Sequence, residues 1–296
     1  MRIIKSTSSI FTFSLSVLSV LFLSPVLAQQ GKQTKQDATP PLTRTTSRHQ
    51  TFRFAYGGSL TVIGAPAGSI TIEGWQRNEI DLSAEIELHA GSAQDLDRLA
   101  AVNSFVADED SNHIRILTTG THDRKFLKTV AKDFPKSLIG LPWKIDYRIK
   151  VPALTDLEIS AGNGPITLSG VEGAIRLNAL ESTANLSLTG GLVAATVQTG
   201  KINIIVPTRS WHGLGAEIRL ARGDLNVELA PGFSGDINAE VLRNGEIKNG
   251  FPDLLPRESN SLAAHSFRAR AGSGGATLTF TVGDGTITIK QAGFKE

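Results

Sequence analysis

Asp224, Glu228, Asp236, Glu240 and Glu246 crowd the C-terminal third of this chain and are its best candidates for chemistry. Two such carboxylates facing each other across neighbouring strands could supply the acid and the nucleophile or base that cleave a glycosidic bond, given the right separation. The same residues also decorate ordinary strand faces, and the spacing alone does not bring any two together. Asp108-Glu109-Asp110 offers oxygen ligands for calcium, but the full spaced ligand set is missing, so a solvated hairpin tip is the simpler reading. Arg176, Arg219, Arg222 and Arg243 could form an outward basic strip for anionic glycans. His49, His89, His113, His122, His212 and His265 are scattered, with no His-Glu-x-x-His or comparable metal-ligand spacing. The chain carries no Gly-x-Ser-x-Gly elbow and no Gly-x-x-x-x-Gly-Lys phosphate loop. Gly272-Ser-Gly-Gly275 is followed by no Lys-Ser or Lys-Thr and reads as a turn. No catalytic, cofactor-binding or metal-binding residue is therefore assigned, and no cofactor is expected.

The elements that would have to position any site are short strands bounded by glycine. Gly58-Ser-Leu-Thr-Val-Ile-Gly64, Gly68-Ser-Ile-Thr-Ile-Glu-Gly74 and Gly164-Pro-Ile-Thr-Leu-Ser-Gly170 share one pattern, and Gly285-Thr-Ile-Thr-Ile-Lys290 closes the series. Between them apolar residues alternate: Leu157 and Ile159, Ile166 and Leu168, Ile175 and Leu177, Leu186 and Leu188, Ile202 and Ile204, Ile218 and Leu220, Leu225 and Val227. The intervening residues are small, polar or charged, so each strand has one buried and one wet side. Starts fall roughly 9 residues apart and alternate copies roughly 20 apart, near the period of a stacked repeat. A meandering antiparallel sandwich also suits such spacing. Links of two or three residues and aliphatic, repetitive inward positions favour a β-solenoid. About 140 residues then give about seven coils, a stack about 34 Å long at ~4.8 Å per strand. An N-terminal hairpin and helix would cap one open end, and the charged run Lys290 to Glu296 would discourage pairing at the other.

Upstream, Arg2 and Lys5 precede an apolar stretch from Ile10 to Leu23, then Pro25 and Val26-Leu27-Ala28, the pattern of a cleaved export signal over 1–28. Residues 29–50 are rich in Gln, Lys, Thr and Pro and suit a flexible linker. A β-rich part follows over 51–150, including a strand over 80–89 and a hairpin across Asp108–Asn112. A short helix is expected near 92–101, capped by Ser92 and apolar at Leu96, Leu99 and Ala100. Residues 121–142 break the pattern. Phe126, Leu127, Val130 and Phe134 could share one face of a basic helix made for a membrane surface or partner, although an excursion lying back over the sheet is the preferred reading. Residues 151–291 form the repetitive body and 292–296 a tail.

Formal net charge is +2, and Arg2 and Lys5 account for it, so the mature chain is close to neutral. With aromatics at 6% and no basic stripe among them, nucleic acid is not an expected partner. There is no cysteine, so an exported form would be held by burial and backbone hydrogen bonds alone.

Gly68-Ser-Ile-Thr-Ile-Glu-Gly-Trp75, Tyr147-Arg-Ile-Lys-Val-Pro152 leading into Leu157-Glu-Ile-Ser-Ala-Gly-Asn-Gly164, and the Gly-bounded repeats after them resemble the bacterial DUF4097 family, provisionally labelled adhesins. The resemblance covers about residues 55–290 and implies an exported, repetitive β-protein of solenoid type, with no catalytic motif to carry over. Residues 121–142 and Phe251-Pro-Asp-Leu-Leu-Pro256 look like local insertions.

The reading is an all-β, single-domain parallel β-solenoid with a small N-terminal cap containing one short helix, a β-sandwich being the alternative. The expected function is that of a non-enzymatic, adhesin-like or surface-binding protein of the envelope, periplasmic, outer-envelope or extracellular. Its partner would be a glycan, a surface or an envelope protein, with no stable transmembrane segment after signal cleavage. A self-assembling scaffold joined through the solenoid ends and a polysaccharide lyase or hydrolase are the rivals.

Overall fold

The computed structural model describes residues 41–256 and 265–293, all within the unit Pro40–Glu296. The expected signal at 1–28, the expected linker as far as residue 40 and the last three residues of the tail lie outside the described residues. No helix among the described residues is long and apolar enough to cross a membrane.

The alternation of aliphatic and polar residues sets the architecture, because a strand with one apolar side must lay that side on another. The chain runs β1 (Leu42–Arg53), β2 (Ser59–Ala67), β3 (Ile70–Trp75), β4 (Glu79–Ala90), α1 (Ala93–Val102), β5 (Ser104–Asp110), β6 (His113–Thr119), α2 (Arg124–Val130), β7 (Trp143–Pro152), β8 (Asp156–Asn163) and β9 (Ile166–Ser169). The long strands β10 (Ala174–Ser187), β11 (Gly190–Val206) and β12 (His212–Leu229) follow. The chain closes with β13 (Gly235–Val241), β14 (Gly245–Gly250), β15 (Leu255–Pro256), β16 (Ser266–Ala271) and β17 (Thr277–Gln291). These strands join in one mixed sheet of 17 that is not a closed barrel.

The sheet folds into two faces. Each rung of the stack puts its first half on one face and its second half on the other, with a corner between them except in the β6/β7 rung, where α2 and a 3-10 turn intervene. The rungs lie in the order β6/β7, β2/β3, β8/β9, β10, β11, β12, β17, β13/β14, every neighbour parallel. This is the β-solenoid; an antiparallel sandwich would pair these strands the other way. Among the described residues antiparallel pairing is confined to the ends, where β4 and β1 extend the second face beyond β7, β5 flanks β6, and β16 and β15 flank β13.

The rungs do not stack in chain order, as the repeat alone would suggest. The N-terminal rung β2/β3 sits between β6/β7 and β8/β9, and the C-terminal rung β17 sits between β12 and β13/β14. Lys290 therefore does not guard an open end: it lies inside the stack, 2.9 Å from Glu228 of the adjoining rung. The link from β12 to β13 runs over residues 230–234. Five residues reach about 16 Å, more than the ~9.6 Å of two strand spacings, so skipping one rung needs no longer loop.

Interior side chains form continuous columns. On the first face Ile116, Val62, Ile159, Leu177, Ala195, Ile218, Phe280 and Ala239 lie in register, all buried. Small residues offset large ones there: Ala239 leaves room for Phe280 on one side and Phe267 on the other. Each buried aliphatic contributes on the order of 1.5–3 kcal/mol.

The corners between faces are stacked backbone. Gly200, Gly223 and Gly285 follow one another at successive corners, all with φ between 132° and 144°. A Cβ on Gly223 would lie 1.8 Å from the carbonyl oxygen of Gly200, so only glycine lets these rungs close at strand spacing. Ser182 breaks the column; its buried hydroxyl has no hydrogen-bond partner among the described residues.

Several local expectations shift. Leu42 to Gln50, expected as linker, is strand, held along its length by β4. Ala65–Gly68 carries the chain round a corner from the first face to the second. Helix α1 starts at Ser92, whose hydroxyl oxygen accepts from the Asp95 backbone N–H at 3.1 Å, but its apolar face is completed by buried Val102 while Ala100 is exposed. The β5–β6 hairpin turns on Ser111 and Asn112, both at positive φ. Within 121–142, α2 and a single 3-10 turn at Lys136–Leu138 lie back on the body through buried Leu127 and Leu138. In the 251–256 segment Phe251 and Leu254 are buried, and β15 pairs with β16.

Candidate binding surface

The five C-terminal carboxylates are distributed over opposite faces. Asp224, Glu228 and Glu246 belong to second-face halves, and Asp236 and Glu240 to first-face halves. Three are ion-paired: Glu228 with Lys290 at 2.9 Å, Asp236 with Arg270 at 2.8 Å, and Glu246 with Lys248 at 3.0 Å. The arrangement therefore provides no facing pair from this set. Asp108, Glu109 and Asp110 are exposed at the end of β5, and among the described residues no cluster of three His, Asp or Glu is grouped to hold a metal ion.

The four arginines do not form a strip. Arg176 and Arg219 point outward from the first face on different columns, whereas Arg222 and Arg243 sit at corners. Arg219 pairs with Glu217, and Arg243 bonds Asp284 through Nε at 3.0 Å. That contact, with a further bond from Asn244, holds the Asp284 carboxyl below the usual carboxylate range.

Two constellations are created by the fold and are not visible along the chain. On the first face the register puts Ser59 between His113 and Asp156, with Ser59 Oγ 2.6 Å from His113 Nδ1. The order is wrong for nucleophile activation, which needs the imidazole between hydroxyl and carboxylate. Asp156 is moreover engaged with the Ala174 backbone N–H at 2.7 Å. On the second face Glu85 of β4 lies opposite Asp146 of β7, in a cleft of about 410 Å³ also lined by Ser47, His49, Ser83 and Arg148. Burial works against ionisation of Asp146. It is outweighed by the Ser69 N–H and hydroxyl, both donating at 2.7 Å, and by Lys144, so the carboxyl stays below its ordinary value. Glycoside cleavage asks for the opposite, a carboxylic acid kept protonated. Lys144 and His89 similarly hold Glu87 low. Asp146, Lys144, Glu87 and His89 thus form one chain of ion pairs across β7 and β4.

What the outer surface does offer is regularity. Along the second face Thr71, Thr167, Asn185, Asn203, Asn226 and Thr288 fall in one column, one residue per rung. The amide of Asn203 donates to Asn185 at 2.8 Å and that of Asn226 to Asn203 at 2.9 Å. The chain separations are 18 and 23 residues, so the irregular period hides the ladder from the sequence. Asn203 spends one donor and one acceptor along the column, Asn185 one acceptor and Asn226 one donor, which leaves further donors and acceptors on all three amides.

Fold and surface together define a two-faced β-solenoid that presents extended, in-register polar columns. No family model matches the chain, and no curated protein does. Among solved structures, a candidate cell adhesion protein from Clostridium sporogenes is similar at 11% identity, covering 85% of this chain and 99% of its own, with a TM-score of 0.45. Candidate adhesins from Bacteroides fragilis and Parabacteroides distasonis are each 9% identical, cover 83% of this chain and 97% of their own, and give TM-scores of 0.30 and 0.25.

Proposed function

We propose that this is a non-enzymatic, exported, adhesin-like protein of the DUF4097 type that binds an envelope or extracellular glycan through its second outer face. The observation that carries the reading is the Thr/Asn column, with its hydrogen-bonded Asn185–Asn203–Asn226 ladder. Polar groups repeating at ~4.8 Å from rung to rung suit a ligand that itself repeats, such as a polysaccharide. Cleavage of the leader at 1–28 and a location outside the cytoplasm belong to the same reading, and the export pattern at Arg2 to Ala28 supports both. The opposite-face distribution of the carboxylates and the ionised state of Asp146 favour binding over cleavage. Self-assembly end to end draws less support, because edge strand β1 carries Arg44, Arg48, His49 and Arg53, and β14 carries Glu246 and Lys248.

The test is a glycan array and an envelope pull-down with the mature protein, run beside a variant with Asn185, Asn203 and Asn226 all changed to Ala. Specific capture by the parent and its loss in the variant is the expected result. Absence of any captured glycan, or equal capture by both proteins, would overturn the proposal.

A further inference from the structure

The 121–142 excursion does more than cover the body. Asp123 accepts from the backbone N–H groups of Lys125 at 2.8 Å and Phe126 at 3.0 Å, fixing the start of α2, and buried Leu127 anchors its inner side. Between α2 and the 3-10 turn at Lys136–Leu138 lies an open groove of about 570 Å³. Four cations line it: Arg124, Lys128, Lys132 and Lys136. Its apolar lining comes from Leu127, Phe134 and Ile139, and among the described residues no carboxylate lines it. Val130, on the same helix, leaves 54% of its surface in solvent.

What distinguishes these cations is that four of them line one groove. Elsewhere Arg44, Arg98, Lys144, Arg219, Arg243, Arg270 and Lys290 are committed to carboxylates. Among the described residues, none of the four groove cations has an ion pair or a side-chain hydrogen bond. Four like charges held around one groove repel each other, and an anionic occupant removes that repulsion. The apolar lining narrows the occupant further. A purely hydrophilic anion would leave Phe134 and Ile139 unused, whereas an amphiphile satisfies cations and apolar wall together.

We infer that this groove is a docking site for an anionic phospholipid surface, seating phosphate headgroups on Arg124, Lys128, Lys132 and Lys136 and the adjoining glycerol and acyl region against Phe134 and Ile139. The site is independent of the Asn column and would hold the solenoid at a bilayer while its second face remains available. Attraction of this kind weakens with salt, because the cations are exposed.

The experiment is co-sedimentation of the full mature chain with vesicles of phosphatidylcholine alone and with phosphatidylglycerol added. Binding is expected only with phosphatidylglycerol and is expected to fall as salt rises. Lys128→Glu with Lys132→Glu should lower partitioning by about 25-fold or more, at roughly fivefold per cation. Arg115→Glu with Arg176→Glu, the same charge change on the first outer face, should lower it far less. Ile139→Ser tests the apolar wall and should also weaken vesicle binding while the urea midpoint stays near that of the parent. Four outcomes would overturn the inference. They are no binding to phosphatidylglycerol vesicles, equal loss in the two charge-reversed proteins, displacement by inorganic phosphate at millimolar level (a small-anion site), or full binding by Ile139→Ser together with binding to polyglutamate (a general polyanion site).

Discussion

Gly223→Ala tests the corner column most directly. The new methyl carbon would lie 1.8 Å from the Gly200 carbonyl oxygen, where ordinary contact begins near 3.4 Å. The rungs β11 and β12 would have to part by about 1.6 Å at that corner, a third of their ~4.8 Å spacing. Ladder hydrogen bonds near 2.9 Å do not survive such a shift. Losing on the order of two of them costs roughly 2 kcal/mol. Holding alanine at φ 132° adds about 1–3 kcal/mol. The expected destabilisation is therefore about 3–5 kcal/mol. Urea unfolding followed by tryptophan fluorescence measures it, since Trp143 and Trp211 are nearly buried. Two internal controls separate the contributions. Gly57 has φ 73° and nothing within 4 Å of a built Cβ, so Gly57→Ala should cost the backbone share alone, about 1 kcal/mol. Gly91 has open space and no positive φ, so Gly91→Ala should be neutral or slightly stabilising. If Gly223→Ala unfolds within 1 kcal/mol of the parent, or Gly57→Ala costs as much, the rungs are not held apart by stacked corner backbone and the reasoning fails.

Three other outcomes are expected. Hydrogen exchange of β17 should be as slow as that of β11, because both neighbours of each strand are paired; rapid exchange across Thr277–Gln291 would mean that the C-terminal rung is peripheral. Ser182→Ala should raise stability by about 1 kcal/mol in the same urea assay, since it removes a buried hydroxyl with no partner among the described residues, and a clear loss would show that the hydroxyl is bonded. Asp146→Asn should be less stable than the parent at neutral pH, and the gap should close in acid. A carboxyl whose folded pKa lies below its ordinary value stabilises above that ordinary value, about 3.9, and loses the contribution as pH falls through the lower folded one; a gap unchanged between neutral and strongly acid pH would contradict this.

Much of the body was legible along the chain because strand burial is a local, period-two property. Leu157, Ile159, Ile175, Leu177, Ile202, Ile204, Leu225 and Val227 all point inward as their alternation requires. Ser92 marks the start of α1 by a rule that needs only three residues of context. The edge strand β1 was missed because Leu42 to Gln50 is polar on both sides, and only pairing with β4 makes it a strand. The Asn ladder was hidden by an insertion: five residues more between Asn203 and Asn226 than between Asn185 and Asn203 break the period, while from Leu192 opposite Gly215 onward the two rungs stay in register.

The sequence by itself determined that the chain is all-β, that its strands bury aliphatic faces, and that glycine turns the corners. Tertiary structure alone decided the order in which the rungs stack. Ile237 of β13 and Leu278 of β17 are both aliphatic residues on an inward column, and either would fit against Ala216 of β12. A repeat makes its own copies interchangeable in pattern, so the alternation that specifies a rung says nothing about its neighbour. The choice falls to volume, where Phe280 packs between Ile218 and Ala239, and to the reach of the 230–234 link. Function divides in the same way. Residue types supplied the polar columns and the cations, but only the fold placed the carboxylates on opposite faces and gathered four cations around one groove with an apolar wall.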